Sequence, residues 1–280
     1  MQLRSGRSAI PQHLYHYTSI YGVEGILKNQ TVWASVVHFL NDSTEWKYAL
    51  DLAHYHLGRQ KATRDDPHWR SLIDKLDEEI GRFDQLYVCA FSLSAMWNQL
   101  SQWRAYCPPD GGYALKFDSQ ALIPQLAAQG FSLHECEYNS AVHADTIQKL
   151  ISSVLGRIAQ PIPDTGIPGV MINSVHNQLV GRLLNLAPLF KHPDFREEYE
   201  WRAVGMGDIT KPSMDYHIRG QLSIPHINIK LDQVSGDFPI TEIIVGPGKH
   251  KELAMRGLAP LVQKTKVKGV SVSQTPLRNL

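Results

Sequence analysis

Glu197-Glu198-Tyr199-Glu200-Trp201-Arg202-Ala203-Val204 is the stretch on which the fold and the chemistry of this chain turn. It follows the polar loop Lys191-His192-Pro193-Asp194 and stops at Gly205. Trp, Val and Tyr suit a pleated, half-buried surface, so the stretch is expected to be a short β-strand. Alternation along a strand puts Glu198, Glu200 and Arg202 on one face and Tyr199, Trp201 and Ala203 on the other. The plain account is an edge strand with a solvated charged face, Arg202 being paired to a nearby acid. The alternative is that two carboxylates and a guanidinium above an aromatic face belong to a site.

Working outward, strands are expected at 13–17, 31–35, 86–92, 113–117, 131–138, 215–218, 224–229, 240–245 and 269–272. Helices are expected at 20–28, from 42 to about 60, from 66 to about 80, and at 95–106, 120–128, 144–159, 170–185 and 249–264. Asp42 and Glu45 have capping-box spacing at the start of the second helix. The Pro/Gly-rich piece 160–169 is a candidate surface loop or lid. Strands separated by helices of uneven length, with a β-rich end, predict an α+β fold rather than a doubly wound sheet. Expected are an extended or disordered segment at 1–12 and one α+β domain over 13–280, with a helical insertion at about 140–190. No Gly-rich phosphate loop follows any strand, which disfavours Rossmann and P-loop folds.

The chain has 280 residues, enough for a sizeable core, and a formal charge of +1 gives no overall basic footprint for nucleic acid. Cys89, Cys107 and Cys136 lack metal-ligand spacing and are too few for a disulfide framework, so a cytoplasmic setting is expected. Apolar runs such as Val32 to Val37 are too short to span a membrane, and no membrane partner is expected. No metal cluster is apparent.

His16 lies at the end of the first strand inside Tyr15-His16-Tyr17-Thr18-Ser19, where an imidazole sits beside hydroxyls able to bind a ribose or an amide. A histidine there is ordinarily a satisfied core or rim residue. Trp103, Arg104 and Tyr106, before the turn Pro108-Pro109-Asp110-Gly111-Gly112, could pack as core or line a cleft, with Arg104 available to a phosphate. Asp42 and Glu45 are better explained as helix capping.

Several blocks occur in order: Leu-Tyr-His-Tyr-Thr-Ser at 14–19, Phe-Leu-Asn-Asp-Ser-Thr-Glu at 39–45, Cys-Ala-Phe-Ser at 89–92 and Met96-Trp97 with Trp103-Arg104-Ala105-Tyr106. Gly112-Tyr113-Ala114, Glu198-Tyr199-Glu200-Trp201-Arg202 and Ile243-Ile244-Val245-Gly246-Pro247 follow. Over residues 13–250 this set resembles a bacterial family that begins with an HYTS block and ends with an EWR block, and whose name carries no activity. More faintly, a strand with an aromatic-flanked His followed by Thr/Ser, and a late strand carrying Glu, resembles the ADP-ribosyltransferase fold. That resemblance implies two small mixed or antiparallel sheets forming a cleft, flanked by helices, with NAD as substrate. It also implies that His16 orients NAD through a ribose hydroxyl, that an aromatic ring packs on nicotinamide, and that Glu200 holds the adjoining ribose. Tyr106, Tyr113, Tyr17 and Trp33 all compete for the aromatic position. Glu198 and Glu200 have the E-x-E spacing of one branch of those enzymes, although that branch begins with Arg rather than His.

The resemblance implies an NAD-dependent transferase acting on a macromolecular acceptor, protein or nucleic acid, as a bacterial toxin or phage-defence effector would. Its catalytic residues would be Glu200, Glu198 and His16. Tyr17, Thr18, Ser19, Trp33, Arg104, Tyr106, Tyr113 and Arg202 would contact NAD, either arginine serving the diphosphate. Two other readings use the same residues: a non-catalytic NAD or ADP-ribose binding or protein-interaction module, and a metal-dependent nuclease built from Asp42, Glu45, Glu198 and Glu200.

Overall fold

The first strand, β1 (His13–Thr18), is covered on both faces: Leu14, Tyr15 and Tyr17 are all buried. In the computed structural model, which describes residues 9–40, 44–109, 111–158, 166–167 and 169–275, it is followed by α1 (Ile20–Asn29). Ser19 caps α1 by accepting from the Gly22 amide, and Gln30 ends it in the left-handed region at φ 52°. Next come β2 (Thr31–Val36), α2 (Thr44–Lys61), α3 (Pro67–Gly81) and β3 (Val88–Ser94). Asp42 and most of the lid candidate at 160–169 lie outside the described residues.

The helix expected from Ala95 begins only at Leu100, as α4 (Leu100–Tyr106). Asn98 takes a left-handed conformation (φ 61°), and its Oδ1 accepts from the Trp103 indole and from the Ser273 hydroxyl. That distant contact holds 95–99 out of the helix. Then follow β4 (Tyr113–Asp118), α5 (Ser119–Ala127), β5 (Ser132–Glu135), α6 (Ser140–Leu155) and α7 (Gly169–Leu186). The remainder is β6 (Glu200–Met206), β7 (Met214–Arg219), β8 (Leu222–Lys230), β9 (Ile240–Val245), α8 (Lys251–Gly257), α9 (Ala259–Gln263) and β10 (Gly269–Val272). The single terminal helix expected over 249–264 is broken at Leu258, two residues before Pro260.

The architecture is mixed α/β, and the strands correct the expectation of two small sheets. Among the described residues they form one open sheet of ten, in the order β10-β9-β4-β1-β3-β2-β8-β7, with β6 also on β3 and β5 on β6. β9 and β10 are parallel, whereas β1–β4 and β7–β8 are antiparallel. β3 is therefore bonded to three strands. A strand has two edges, so β1, β2 and β6 cannot each run its full length. β1 meets it at one register pair, Tyr15 opposite Ser94. The sheet opens beside that pair.

The chain packs as two compact units. One holds the sheet and comprises Met1–Ser35, Cys89–Cys136 and Arg196–Leu280; the other comprises Val36–Val88 and Glu137–Phe195. The second is helical. Asp66 accepts from the His68 and Trp69 amides to cap α3, with Pro67 at its first position. Trp69, Leu72, Ile73, Leu76 and Ile80 then form its buried stripe, at the spacing expected from the sequence. Among the described residues, no helix is long and apolar enough to cross a membrane.

In the sheet unit a small core of Tyr15, Tyr17, Trp103, Ala114 and Ile244 backs the opening, with Cys107 packed against it. The turn after β9 closes over it: the Gly246 amide donates to the Gly112 carbonyl at 2.7 Å. A Cβ at Gly246 would lie 2.7 Å from the Trp103 ring and 2.8 Å from that carbonyl. Gly246→Ala should therefore cost about 1–3 kcal/mol through overpacking, seen as a lowered midpoint in thermal denaturation.

Candidate functional site

The cavity at the opening of the sheet is lined by Tyr15, His16 and Tyr17 of β1, Ser92, Leu93 and Ser94 of β3, Gln102 and Tyr106 of α4, and Glu198 and Glu200. His16 and Glu200, about 180 positions apart in the chain, thus face one space. The cavity holds about 70 Å³ and is partly open to solvent.

His16 bridges the gap between β1 and β3 with its side chain. Its Nδ1 lies 3.1 Å from the Ser92 carbonyl, which can only accept, so Nδ1 carries the proton and Nε2 the lone pair. Phe91 packs beside the ring at 4.9 Å. Burial lowers the His16 pKa from its ordinary value, the bond to Ser92 opposing that shift. The imidazole is therefore neutral near pH 7 and presents an acceptor.

The acidic arm departs from expectation. Strand geometry starts at Glu200, because residues Pro193–Glu198 form a 3-10 turn and Tyr199 is left-handed at φ 45°. Two long-range bonds fix that entry: the Ala95 amide donates to the Tyr199 carbonyl, and the Ser94 hydroxyl donates to the Glu198 carbonyl at 2.7 Å. Tyr199 is half exposed and does not share the face of buried Trp201. Nor is the charged face that of a solvated edge strand. Glu200 and Arg202 are 5% and 4% exposed, and they pair through two bonds, Nε to Oε1 at 2.8 Å and Nη2 to Oε2 at 3.1 Å. Arg202 is thereby the counter-ion of Glu200, the role expected of it as the partner of a nearby acid. Glu198 is also buried, and the Tyr106 hydroxyl donates to its Oε1 at 3.2 Å.

Of the other expected contacts, Tyr106 and Tyr17 line the cavity and the rest lie elsewhere. Tyr17 lines the cavity, but its hydroxyl donates to the Met96 carbonyl (2.8 Å) and accepts from the Gln99 amide (3.1 Å). Burial pushes its pKa up to about 12, so it stays a protonated framework group. Thr18 pairs with Tyr113 across β1 and β4, Ser19 caps α1, and none of these three lines the cavity. Trp33 is half exposed and does not line it either; its ring stacks on His217 (4.7 Å) and tilts against His226 (4.5 Å). Arg104 lines a separate, wider groove of about 610 Å³ with Gln99, Leu100, Ser101, Ala105 and Glu197.

A family model described as "Protein of unknown function (DUF2971)" matches residues 102–203. The match covers Gln102, Tyr106, Glu198, Glu200 and Arg202, and leaves out His16. No curated protein and no solved structure matches the chain.

Reading the sequence alone missed Ser92, Ser94 and Gln102. The first two fall at alternate positions of β3, and Gln102 is four residues before Tyr106, on the same helical face. Among the described residues, no group of three or more His, Cys, Asp or Glu is placed to hold a metal ion. Asp42 of the nuclease reading is outside those residues, and Glu45 is buried on α2.

Removing Arg202 would strand a buried carboxylate. Arg202→Ala should cost about 3–5 kcal/mol, measured by denaturant unfolding. His16 adds a pH dependence. Its unfolded form takes up a proton near 6.5 and its folded form only at lower pH, so stability falls as pH drops below about 6.5. His16→Gln should flatten part of that slope in unfolding curves recorded between pH 5 and pH 7.

Proposed function

We propose that the chain is an ADP-ribosyltransferase-type enzyme that cleaves the nicotinamide–ribose bond of NAD and passes ADP-ribose to a macromolecular acceptor. The observation that carries this reading is the convergence of His16, Glu198 and Glu200 on one cavity beside Tyr106. Breaking that bond builds positive charge on the sugar, as in glycoside hydrolysis. A carboxylate held at the ring stabilises that charge most in the transition state. Glu200 suits this role, since Arg202 fixes the orientation of its carboxylate through two charge-assisted bonds. Neutral His16, with Nε2 as acceptor, suits a ribose hydroxyl. Glu198 suits the proton of the acceptor nucleophile.

The bond from ribose C1′ to the ring nitrogen breaks, and nicotinamide leaves with the electron pair. The acceptor's oxygen, nitrogen or sulfur bonds to C1′, and its proton passes to Glu198 and then to solvent. Size decides how NAD can bind. At ~30 Å³ per water the cavity equals the space of about two waters, so only a few of the substrate's atoms enter it and the rest of the dinucleotide lies at its mouth and along the surface.

The test is nicotinamide release from NAD by purified protein given lysate, RNA or DNA as acceptor, with label from the adenylate half followed onto the macromolecule. Release and labelling are expected, and Glu198→Gln and Glu200→Gln should each slow them by about 10²–10³-fold, with circular dichroism checking that each variant is folded. No release with any acceptor overturns the enzymatic reading. Saturable NAD binding without turnover would instead make the chain a nucleotide-binding module.

A further inference from the structure

The carboxamide of Gln102 has no assigned role. Its side chain lines the cavity and the residue is 6% exposed, yet among the described residues the carboxamide makes no hydrogen bond. Its amide faces the partly open cavity rather than a sealed core, where an apolar residue would be the ordinary choice. Several polar groups around it are, by contrast, engaged. Tyr106 donates to Glu198, Tyr17 bonds Met96 and Gln99, the Ser94 hydroxyl holds the Glu198 carbonyl, and Glu200 is paired with Arg202. A donor and an acceptor on one planar group, held four residues before Tyr106 on α4, match another primary amide, which offers the complementary pair.

We propose that Gln102 is a specificity-determining residue that reads the carboxamide of nicotinamide, accepting from its NH₂ and donating to its carbonyl. The inference rests on the NAD reading above and deepens it, naming the group of the substrate that enters the cavity and the residue that selects it. It also sets what is rejected. An analogue with a carboxylate in place of the carboxamide would lose one of the two bonds and bring a third negative charge beside Glu198 and Glu200.

The experiment compares kcat/KM for NAD and for nicotinic acid adenine dinucleotide, in the wild-type chain and in Gln102→Leu, with Gln102→Met as a second variant if the first does not fold. The wild type should favour NAD by at least about 100-fold. The apolar variant should lose about 10- to 100-fold on NAD, the range for a buried polar partner left unpaired, and most of the discrimination with it. If the wild type cleaves NAD and the variant keeps both its rate and its selectivity, the role of Gln102 is overturned and the enzymatic reading stands. If the wild type cleaves neither dinucleotide, and free nicotinamide does not bind it by calorimetry, both fall together.

Discussion

Glu200 and Arg202 sit two residues apart on a strand buried along nearly its whole length, and the structure of the sheet unit depends on their pairing. Taking a carboxylate and a guanidinium out of water costs several kcal/mol per ion, recovered only with very good geometry. The two parallel bonds between them supply that geometry. They also constrain everything nearby. With the pair in place, β6 can run through the interior beside β3, burying Trp201, Ala203 and Val204 along with the two ions. A pair that holds a charge in the core also fixes where the charge points, and here it points at a cavity.

The cavity exists because β3 carries more partners than its edges can serve. β1 touches it at Tyr15 and Ser94, after which an imidazole rather than a peptide group makes the bond across the gap. A backbone amide there would have closed the ladder. A side chain holds the strands together while leaving space between them, and it leaves a ring nitrogen with a lone pair. The left-handed residues Asn98 and Tyr199 stand just before α4 and β6, both of which supply residues to this space. Such conformations cost of order 1–3 kcal/mol in a non-glycine residue. Here long-range bonds hold them, to Ser273 in one case and Ala95 in the other.

That contrast explains what could be read from the sequence. Strands 240–245 and 269–272 coincide with the expected ranges, because the pattern that marks them, β-branched residues bounded by turn residues, is written locally in the side chains. The buried stripe of α3 was legible for the same reason. Residues 95–99 and 197–199 were not, since bonds from distant parts of the chain override local preference at both. His16 and Glu200 could be placed in one site only through family resemblance, as no spacing rule links positions so far apart. Trp33 misled because an exposed indole on a strand looks like a ligand platform, whereas two histidines from β7 and β8 already pack on it. Gln102 carried a signal, its spacing from Tyr106, but glutamine on a helix is so ordinary that only its burial gives it meaning.

The two glutamates facing the cavity are not equivalent, and the difference follows from how each is held. Glu200 has both oxygens engaged by one guanidinium and stands on a rigid, buried strand. It can stabilise charge that develops beside it without reorganising, which is where a fixed ion has most effect. Glu198 ends a 3-10 turn, precedes a left-handed residue and meets a neutral phenol on a seven-residue helix. A phenol can accept as well as donate, so that bond survives a change in the protonation of Glu198 in a way that the Arg202 pair could not for Glu200. On the proposed reading, proton handling therefore belongs with Glu198 and charge stabilisation with Glu200. That division would follow from the partners each carboxylate has, arginine beside Glu200 and tyrosine beside Glu198.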